Sequence, residues 1–598
     1  MATYQFLLKS TKRFYQHWGS YITLIFGTNI LISYLVVPVF NWLLGNLLKS
    51  QGITHVSYTN FPSLFYQHPL AIVGMLILLL AIITLAYWQF AFLLLEVINI
   101  LKGKPKTLIT ILIDTGRSLR GASISTFLLF IGYFLIILPF GSYIFTTPLL
   151  NKAQIPAFIV SYLMTYPWMA VGLVLFYLVT GYLGIRLMSL LPIMIIDQLP
   201  WRTAIKESWQ RTRFNFWYYL LCTFLILVTV TIITTIFYTC LYFIQVLFDH
   251  IGLGFTAAAI NLLIMETITG IIVSYTSVLF MMLVITCYNQ GNLFTESIHF
   301  HLESTVRLQR WARTGLVFVI ILFGAGAIFF NLSYLNGSEM STPLLISHRG
   351  VDNGYGVQNT IPSLIKTSKE SPDYIEMDIQ VTKDHKFVVM HDNDLNDLAN
   401  RDVAPYELNL KQLQKITVSE NGYKAKIPSF SEYLDTAIKH HQKLLIEIKP
   451  TSYYTRQDTK HFIQEYGQKI LANHEQIHTL SYQIMSDLKK EKPALFVNYI
   501  LPYNLTYPYT KANGYTMEST TLDEAFIKKS SEQNKKVYAW DIDDTGEMDR
   551  MMFLGVDAII TDNLRQMRAE IRLNTIRPSY ARLLLTYMNK LQVDNDFD

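Results

Sequence analysis

The 598-residue sequence is poor in charge and in cysteine. Charged residues make up 16% of it and hydrophobic residues 51%, whereas roughly 25% of the residues in soluble domains are charged. This deficit indicates a membrane protein. The three cysteines, Cys222, Cys240 and Cys287, all lie in apolar segments. The polar part of the chain therefore has neither a disulfide framework nor a zinc site built on cysteine.

Basic tracts with interleaved aromatic residues, which nucleic-acid-binding proteins use, are also missing. The net charge is only +5, so the sequence predicts no nucleic-acid partner. The N-terminus does not resemble a cleavable signal peptide, because its first apolar run is longer than a signal core and lacks a clear small-residue cleavage site. We expect that run to be a permanent membrane span.

Long apolar runs are abundant, and they are confined to the first part of the chain. A helix needs about 20 mostly apolar residues to cross a bilayer, and about seven segments qualify. The stretch 156–165 either extends the fourth span or forms a short re-entrant piece. We expect a transmembrane domain over 1–337, a soluble domain over 338–566 and a basic helical tail over 567–598. The predicted spans are approximately 20–45, 70–98, 122–148, 166–196, 216–247, 258–288 and 314–336.

Lysine and arginine alternate between the loops, and this alternation predicts the orientation of the membrane domain. The odd-numbered loops have little basic charge beyond Lys49 and Lys152. Because positively charged loops stay in the cytoplasm, we expect a multi-pass protein of the cell membrane with a cytoplasmic N-terminus and an extracellular C-terminal domain. The basic residues of the tail and the even-numbered loops are Lys9, Lys12, Arg13, Lys102, Lys104, Lys106, Arg117, Arg120, Arg202, Lys206, Arg211, Arg213, Arg307, Arg310 and Arg313.

Two carboxylates, Glu96 and Glu266, fall within predicted spans. Buried carboxylates in a membrane are costly, and some of them mark ion or substrate paths. Since no second charged residue accompanies either one, we expect each to lie near a helix end or to pair with a neighbouring serine, threonine or tyrosine. The tail after Asn563 is basic and partly amphipathic. We expect it either to lie on anionic lipid or to extend from the soluble domain or pack on it.

In the soluble part, short strands alternate with helical patterns, which favours a parallel α/β sheet. Two of nine strand candidates are joined only by the segment "TKDHK", which is too short for a parallel crossover, so this pair must be an antiparallel hairpin. Eight strands remain, and they suit a TIM (β/α)8 barrel, whose chemistry gathers at the C-terminal ends of the strands. The candidates are 344–348, 374–381, 386–392, 444–449, 478–483, 495–501, 514–519, 536–542 and 557–562.

Polar residues stand at several of these strand ends. Glu376 and Asp378 are two residues apart, as are Glu447 and Lys449, so each pair projects from one face of its strand. One barrel mouth would then hold three carboxylates, two histidines, an arginine and a lysine. These residues are His348, Arg349, Glu376, Asp378, His391, Glu447 and Lys449.

Those residue types suit phosphodiester chemistry. Three carboxylates without a cysteine favour one hard divalent cation, Ca²⁺ or Mg²⁺. Arg349 suits a forked contact with a phosphate, and Lys449 suits a point contact. Two histidines can act as general acid and general base on the two sides of a phosphorus centre.

Eight sequence blocks in this part occur in an order and spacing typical of one enzyme family. The blocks are "SHRG", "QNTIPSL", "IEMDIQVTKD", "FVVMHD", "KIPSFSEYL", "LLIEIK", "VYAWDID" and "GVDAIITDN". Over about 344–563 the chain resembles the glycerophosphodiester phosphodiesterases. Its apolar half is similar to the multi-span domain fused to such enzymes in Gram-positive bacteria.

This resemblance implies a TIM barrel of the phospholipase-C-like phosphodiesterase type that uses a divalent cation. It implies hydrolysis of glycerophosphodiesters to glycerol 3-phosphate and an alcohol. It also implies a role for each candidate residue: His348 and His391 as the acid–base pair, Glu376, Asp378 and Glu447 as metal ligands, Arg349 and Lys449 as phosphate contacts, and Trp540 as a wall of the glycerol pocket.

The chain departs from the family pattern at three places. Gln358 stands where the family usually has glutamate, Asp541 where it has threonine, and Tyr482 where it has phenylalanine. The proposed ligands are intact, so we expect altered tuning and retained catalysis. The acidic run Asp541, Asp543 and Asp544 is expected to influence substrate choice.

The sequence therefore predicts a membrane-anchored phosphodiesterase acting on a glycerophosphodiester or on a lipid-linked glycerol-phosphate polymer such as teichoic acid, with membrane lipid as a partner. It leaves the oligomeric state open. One alternative is a lysophospholipase D or phospholipase that acts on intact lipid, with the segment 501–510 as an apolar ramp. Another is a transporter or scaffold whose barrel only binds.

Overall fold

Five helices in the first half of the chain are long and apolar enough to cross a membrane. They have 30–35 residues, or about 45–52 Å at 1.5 Å per residue, so they are longer than the bilayer core of about 30 Å. They coincide with the first, second, fourth, fifth and sixth predicted spans. They are Trp18–Ser50, which contains a π-helical turn at Ile32–Val36, Pro69–Leu101, Pro167–Ile196, Phe216–His250 and Gly254–Tyr288.

This computed structural model describes most of the chain, and the two remaining predicted spans differ in their coverage. The third, 122–148, lies largely outside the described residues. The seventh corresponds to the helix Val306–Leu335, with its apolar portion at Ile321–Leu335. The described residues are 3–56, 60–103, 108–118, 129–133, 136, 147–149, 152, 155–290, 306–336, 341–504, 506–575 and 578–597.

The stretch 156–165 forms a separate short helix, Ala157–Thr165. It ends because Tyr166 is extended, with φ −104° and ψ 121°. Tyr166 precedes Pro167, and proline disfavours the helical conformation in the residue before it. The other shorter helices of this half are Thr3–Gln16, Phe61–Gln67, Leu108–Ser118 and Trp201–Thr212.

The soluble part contains a closed barrel of eight parallel strands, as the sequence predicts. The strand order is β1-β2-β6-β7-β8-β9-β10-β11, and β11 pairs with β1 to close the ring. The strands of this part are β1 (Leu344–Ser347), β2 (Tyr374–Val381), β3 (Phe387–Val389), β4 (Thr417–Glu420), β5 (Tyr423–Lys426), β6 (Leu444–Ile448), β7 (Gln476–Thr479), β8 (Val497–Leu501), β9 (Gly514–Glu518), β10 (Lys536–Trp540) and β11 (Ala558–Thr561).

Two hairpins stand outside the ring. The antiparallel pairing of β2 with β3 confirms the hairpin inferred from the short connection. The second hairpin, β4–β5, was not predicted. It turns at Asn421 and Gly422, both with positive φ, as two-residue Asn-Gly turns require.

The barrel strands alternate strictly between an outer and an inner face. Ile375, Met377 and Ile379 of β2 belong to the large apolar core between the strands and the surrounding helices. The intervening Glu376 and Asp378 therefore face the barrel interior. The surrounding helices are Ile361–Ser368, Phe430–Lys439, Arg456–Ala472, Tyr482–Glu491, Glu524–Glu532, Thr545–Leu554 and Leu564–Thr575, with short helical turns at Asn396–Ala399 and Leu410–Leu413.

The C-terminal helix, Tyr580–Phe597, packs between the barrel and the membrane helices. Its Tyr587 hydroxyl donates to Glu266 Oε1 at 2.7 Å, which confirms the expected tyrosine pairing of that carboxylate. Glu96 accepts from Asn99 Nδ2 at 3.3 Å. Of the two expectations for the tail, packing on the barrel is the one observed. The predicted boundary at 566 falls within the helix Leu564–Thr575.

The barrel, together with the C-terminal helix that packs on it, contacts three loops on one side of the membrane domain. In the first loop, Thr54 O accepts from Tyr509 N at 2.7 Å. In the third, Lys152 pairs with Asp523 at 2.8 Å. In the fifth, Asp249 Oδ2 accepts from Ala581 N at 2.8 Å. These are the odd-numbered loops of the predicted topology, the ones with little basic charge.

Candidate functional site

All eight residues predicted to form the site lie at the C-terminal end of the barrel. Glu376 and Asp378 project inward from β2, and Asp378 is in register with Glu447 of β6. The turn His348–Gly350 follows β1 directly. His391 follows β3, Lys449 follows β6, and Trp540 ends β10.

The turn after β1 is held in an unusual backbone conformation. Arg349 has φ 49° and Gly350 φ 69°, in a region that side chains with a Cβ rarely adopt. A Cβ on Gly350 would lie 2.8 Å from the Tyr433 hydroxyl. Arg349 N donates to Glu376 Oε2 at 2.8 Å, so a carboxylate of the site fixes the turn.

The Arg349 guanidinium lies between the two histidines. Its Nε is 3.1 Å from His348 Nε2, and its Nη2 is 2.9 Å from His391 Nε2. Each imidazole has a carboxylate on its other nitrogen: His348 Nδ1 lies 3.1 Å from Asp562 Oδ1, and His391 Nδ1 lies 2.8 Å from Asp392 Oδ1. The two histidines are therefore oriented with their Nε2 atoms toward one cationic group.

Two carboxylates lie close to the His348 ring. Besides Asp562, the Asp541 carboxylate lies 3.6 Å from its Nε2. Burial alone would lower the pKa of His348, but the two carboxylates outweigh burial and raise this pKa to about 10. When His348 is charged, its Nε2 carries a proton that faces Asp541. Nε2 can then no longer accept from Arg349, which must donate to another acceptor. At neutral pH, His348 is therefore suited to hold a proton.

Two of the three predicted carboxylates contact the ammonium group of Lys449. Its Nζ lies 2.8 Å from Asp378 Oδ1 and 2.9 Å from Glu447 Oε1. Burial would raise the pKa of Asp378, but Lys449, His391 and Arg349 outweigh burial and hold this pKa well below its usual range. Two of the predicted metal ligands, Asp378 and Glu447, thus share one cation.

A third carboxylate and a histidine extend this cluster. Glu376, Glu447 and His478 each offer a ligand atom within 4.8 Å of the others, and all three are buried. His478 lies in register with Glu447, and its Nε2 is 3.5 Å from Glu376 Oε1. Among the described residues, neither ring nitrogen of His478 makes a hydrogen bond.

This donor set fits a divalent cation. Buried oxygen and nitrogen atoms without hydrogen bonds gain partners when a metal binds, and carboxylates with one imidazole are common ligands. Lys449 pairs with Asp378 and Glu447, whereas Glu376, Glu447 and His478 lie close enough together to hold a cation.

Comparison with known proteins decides the family. Residues 7–327 match the model of the membrane domain of glycerophosphoryl diester phosphodiesterase, and residues 348–566 match the glycerophosphoryl diester phosphodiesterase family. The chain belongs to this family. It is a glycerophosphodiester phosphodiesterase, and the resemblance inferred from its sequence blocks is confirmed.

Relatives of known name share the barrel half. A glycerophosphodiester phosphodiesterase of Arabidopsis thaliana is 26% identical over 236 residues, covering 37% of this chain and 71% of the relative. A putative glycerophosphodiester phosphodiesterase of Bacillus subtilis is 26% identical over 231 residues, covering 36% of this chain and 93% of the relative. An Oleispira antarctica phosphodiesterase solved with sn-glycerol-3-phosphate is 18% identical, with a TM-score of 0.35 over 39% of this chain and 98% of that one.

In this phosphodiesterase, Gln358 has a defined place in the site. Its Oε1 accepts from Arg349 Nη1 at 2.8 Å, and its Nε2 donates to Glu420 Oε1 at 2.8 Å. Glu420 ends β4 of the unpredicted hairpin. The Glu420 carboxylate is therefore linked to Arg349 through the amide of Gln358.

The acidic run after Trp540 divides into separate roles. Asp541 faces His348, whereas Asp543 accepts from Thr561 Oγ1 and from Asp562 N. Asp544 caps the helix Thr545–Leu554. Only Asp541 therefore contacts a predicted catalytic side chain.

Sequence reasoning missed several residues of the site, among them His478 and Asp562. His478 is adjacent to Glu447 because consecutive parallel strands pair, so the strand order contained that signal. Asp562 follows β11, and closure of the ring brings it to His348. Within the segment 501–510, Tyr509 contacts the first membrane loop, where Lys49 Nζ lies 4.8 Å from the Tyr509 ring centroid.

Proposed function

We propose that this phosphodiesterase carries out metal-dependent hydrolysis of glycerophosphodiesters to glycerol 3-phosphate and an alcohol. The reaction takes place at the extracellular face of the cell membrane. The observation that carries the proposal is the Arg349 guanidinium held 3.1 and 2.9 Å from two imidazoles, each paired with a carboxylate. A phosphate bound to this guanidinium would have one imidazole on each side. That is the arrangement that acid–base catalysis at phosphorus requires.

The two histidines have distinct roles in this proposal. His391, with its Nδ1 proton held by Asp392, accepts a proton from the attacking oxygen at its Nε2. The bond between phosphorus and the leaving oxygen breaks, and His348 gives its proton to that oxygen. Arg349 and Lys449 bind the phosphate oxygens, and Trp540 walls the glycerol pocket.

The divalent cation would be held by Glu376, Asp378 and Glu447, with His478 beside them. When bound, such an ion neutralises negative charge on the phosphate as the reaction proceeds. Lys449 would then be free to move from the carboxylates to the phosphate. Titration with Ca²⁺ and with Mg²⁺ distinguishes the two ions.

The outer location is supported by charge and contacts together. The barrel contacts the loops with little basic charge, and the basic loops meet at the opposite end: Arg211 of the fourth loop donates to Tyr288 O at the start of the sixth, at 2.8 Å. The substrates we propose are deacylated phospholipids or glycerol-phosphate polymers on a lipid anchor, both of which occur beside such a membrane face.

The test is release of glycerol 3-phosphate by the purified full-length protein in detergent, from glycerophosphodiesters, phospholipids and a glycerol-phosphate polymer, with and without EDTA. We expect EDTA, Glu376→Gln and Glu447→Gln each to abolish turnover. Ca²⁺ or Mg²⁺ should raise the melting temperature of the wild-type protein and not of these two variants.

Glu524→Gln is the matched control. Glu524 is exposed at the start of its helix, far in sequence from any proposed ligand, and its removal should change neither turnover nor the metal-dependent melting shift. Full activity of the wild-type protein in EDTA would remove the metal from the proposal. Turnover of intact phospholipid alone would favour the lipase alternative.

A further inference from the structure

The short helix Ala157–Thr165 of the membrane domain lies across the mouth of the barrel. At its start, Ala157 N donates to Thr520 Oγ1 at 3.0 Å and to Glu518 Oε1 at 3.2 Å. The Phe158 ring centroid lies 5.4 Å from that of Trp540. Beyond its other end, the Tyr166 hydroxyl donates to Asp397 Oδ2 at 2.8 Å. The helix is thus attached to the barrel at both ends.

These attachment points lie on opposite rims. Glu518 ends β9 and Trp540 ends β10, whereas Asp397 follows the β2–β3 hairpin. In the closed ring, β9 and β2 are separated by three strands in either direction. The nine residues of the helix rise about 12 Å from the first Cα to the last, and the side chain of Tyr166 extends the reach to Asp397. The middle of the helix must therefore lie over the opening where the site residues stand.

Three aromatic residues recur along this segment. Phe158 and Tyr162 are four residues apart in the helix, so they share a face, and Tyr166 follows directly after the helix. The first contacts Trp540, and the last contacts the opposite rim. Tyr162 lies between them with 57% of its surface exposed, and its ring centroid is 5.6 Å from that of Tyr166.

The rim beside Tyr166, against which the Tyr162 ring packs, is acidic. Asp397 is bonded to Tyr166, and Asp392 is bonded to His391 of the site. An exposed aromatic face next to carboxylates is the surrounding that ammonium groups prefer, because the cation is attracted to both the ring and the negative charge. A hydrocarbon chain would gain nothing from the carboxylates.

Resting on the proposed function, we propose that the membrane domain completes the substrate site, and that Tyr162 selects substrates whose leaving alcohol carries an ammonium group. The glycerol phosphate would occupy the barrel, with the alcohol pointing outward beneath the helix. Tyr162 is then a specificity-determining residue contributed by a domain other than the one that holds the catalytic histidines.

The test compares three soluble substrates that share glycerol 3-phosphate and differ in the alcohol: choline, glycerol and a neutral short alkyl alcohol. In Tyr162→Leu, which retains apolar bulk, kcat/KM for the choline ester should fall about 3- to 30-fold, the range expected for a cation–π contact. The other two esters should change less than twofold. Tyr162→Phe retains the aromatic face and should behave like the wild-type protein with all three.

Tyr66→Leu is the control, since Tyr66 is also an exposed tyrosine and precedes the second span. Equal changes for all three esters, or a selective loss with the alkyl ester, would overturn the assignment of Tyr162. An unchanged choline ester in Tyr162→Leu would do the same while leaving the proposed function intact. A wild-type protein that hydrolyses none of the esters would instead contradict the proposed function on which the inference rests.

Discussion

At the scale of single residues, the site depends on which carboxylates lie next to each of its two histidines. His391 pairs with Asp392, whereas His348 lies between Asp541 and Asp562. The surroundings of His348 cannot be read from the sequence, because Asp541 and Asp562 are about two hundred residues away from it along the chain. They nevertheless favour the protonated form of His348.

We predict that His348 is the general acid. Each of His348→Ala and His391→Ala should lower kcat by about 10²–10⁴-fold. A p-nitrophenyl ester, whose leaving group needs little protonation, should restore activity to His348→Ala and not to His391→Ala. Recovery of both variants, or of His391→Ala alone, would contradict this assignment. The measurement is kcat for the two esters in each variant.

The pH dependence should follow from the raised pKa of His348. The pKa of His348 is raised from 6.5 to about 10 in the folded protein. Its charged form therefore contributes stability that is fully present below about 6.5 and is lost as pH rises through about 10. The kcat of the wild-type protein should fall over the same pH range, because His348 loses the proton that the leaving oxygen needs.

At the scale of elements, the C-terminal helix Tyr580–Phe597 joins barrel and membrane domain. Arg582 Nη2 lies 3.0 Å from Asp549 Oδ1 and also contacts Glu570. Asp549 is fully buried, and burial raises its pKa above the usual range. On the membrane side, the Tyr334 hydroxyl donates a hydrogen bond to Leu583 O of this helix at 2.7 Å.

Arg582→Met should therefore destabilise the barrel, because it leaves a buried carboxylate without its cation. The cost of breaking such a pair is about 3–5 kcal/mol, seen as a lower melting temperature of the purified protein. Adding Asp549→Asn should restore part of the loss, since the charge is then gone. Arg572→Met, at an exposed position of the preceding helix, should have little effect. Equal melting temperatures for Arg582→Met and Arg572→Met would show that the pair contributes little.

Elements with strong periodicity were predictable, and those held by distant contacts were not. The eight barrel strands and the β2–β3 hairpin follow from alternation and connection length. The β4–β5 hairpin was missed because its residues are mostly exposed, so alternation carries little signal, although the Asn421-Gly422 pair is a strong hairpin signature. The place of Ala157–Thr165 over the mouth depends on contacts with residues more than two hundred positions away, which no local pattern shows.

At the scale of the whole molecule, the long membrane helices explain how the two halves meet. Gly254–Tyr288 is about 20 Å longer than the bilayer core. Glu266 lies in its first half and pairs with Tyr587 of the C-terminal helix. The extra length thus supplies an apolar surface on the barrel side, which the C-terminal helix covers. The same side presents the third loop to the barrel mouth.

The orientation of this assembly can be tested with single cysteines. Lys424→Cys on the β4–β5 hairpin should react with a membrane-impermeant maleimide in intact cells, and Lys206→Cys in the fourth loop should react only after permeabilisation. A Cys240→Ser background removes the exposed native thiol, since Cys222 and Cys287 are buried. Labelling of both positions in intact cells would mean that the number of spans is wrong by one. Labelling of Lys206→Cys alone in intact cells would place the barrel in the cytoplasm, because the basic loops would then face outward.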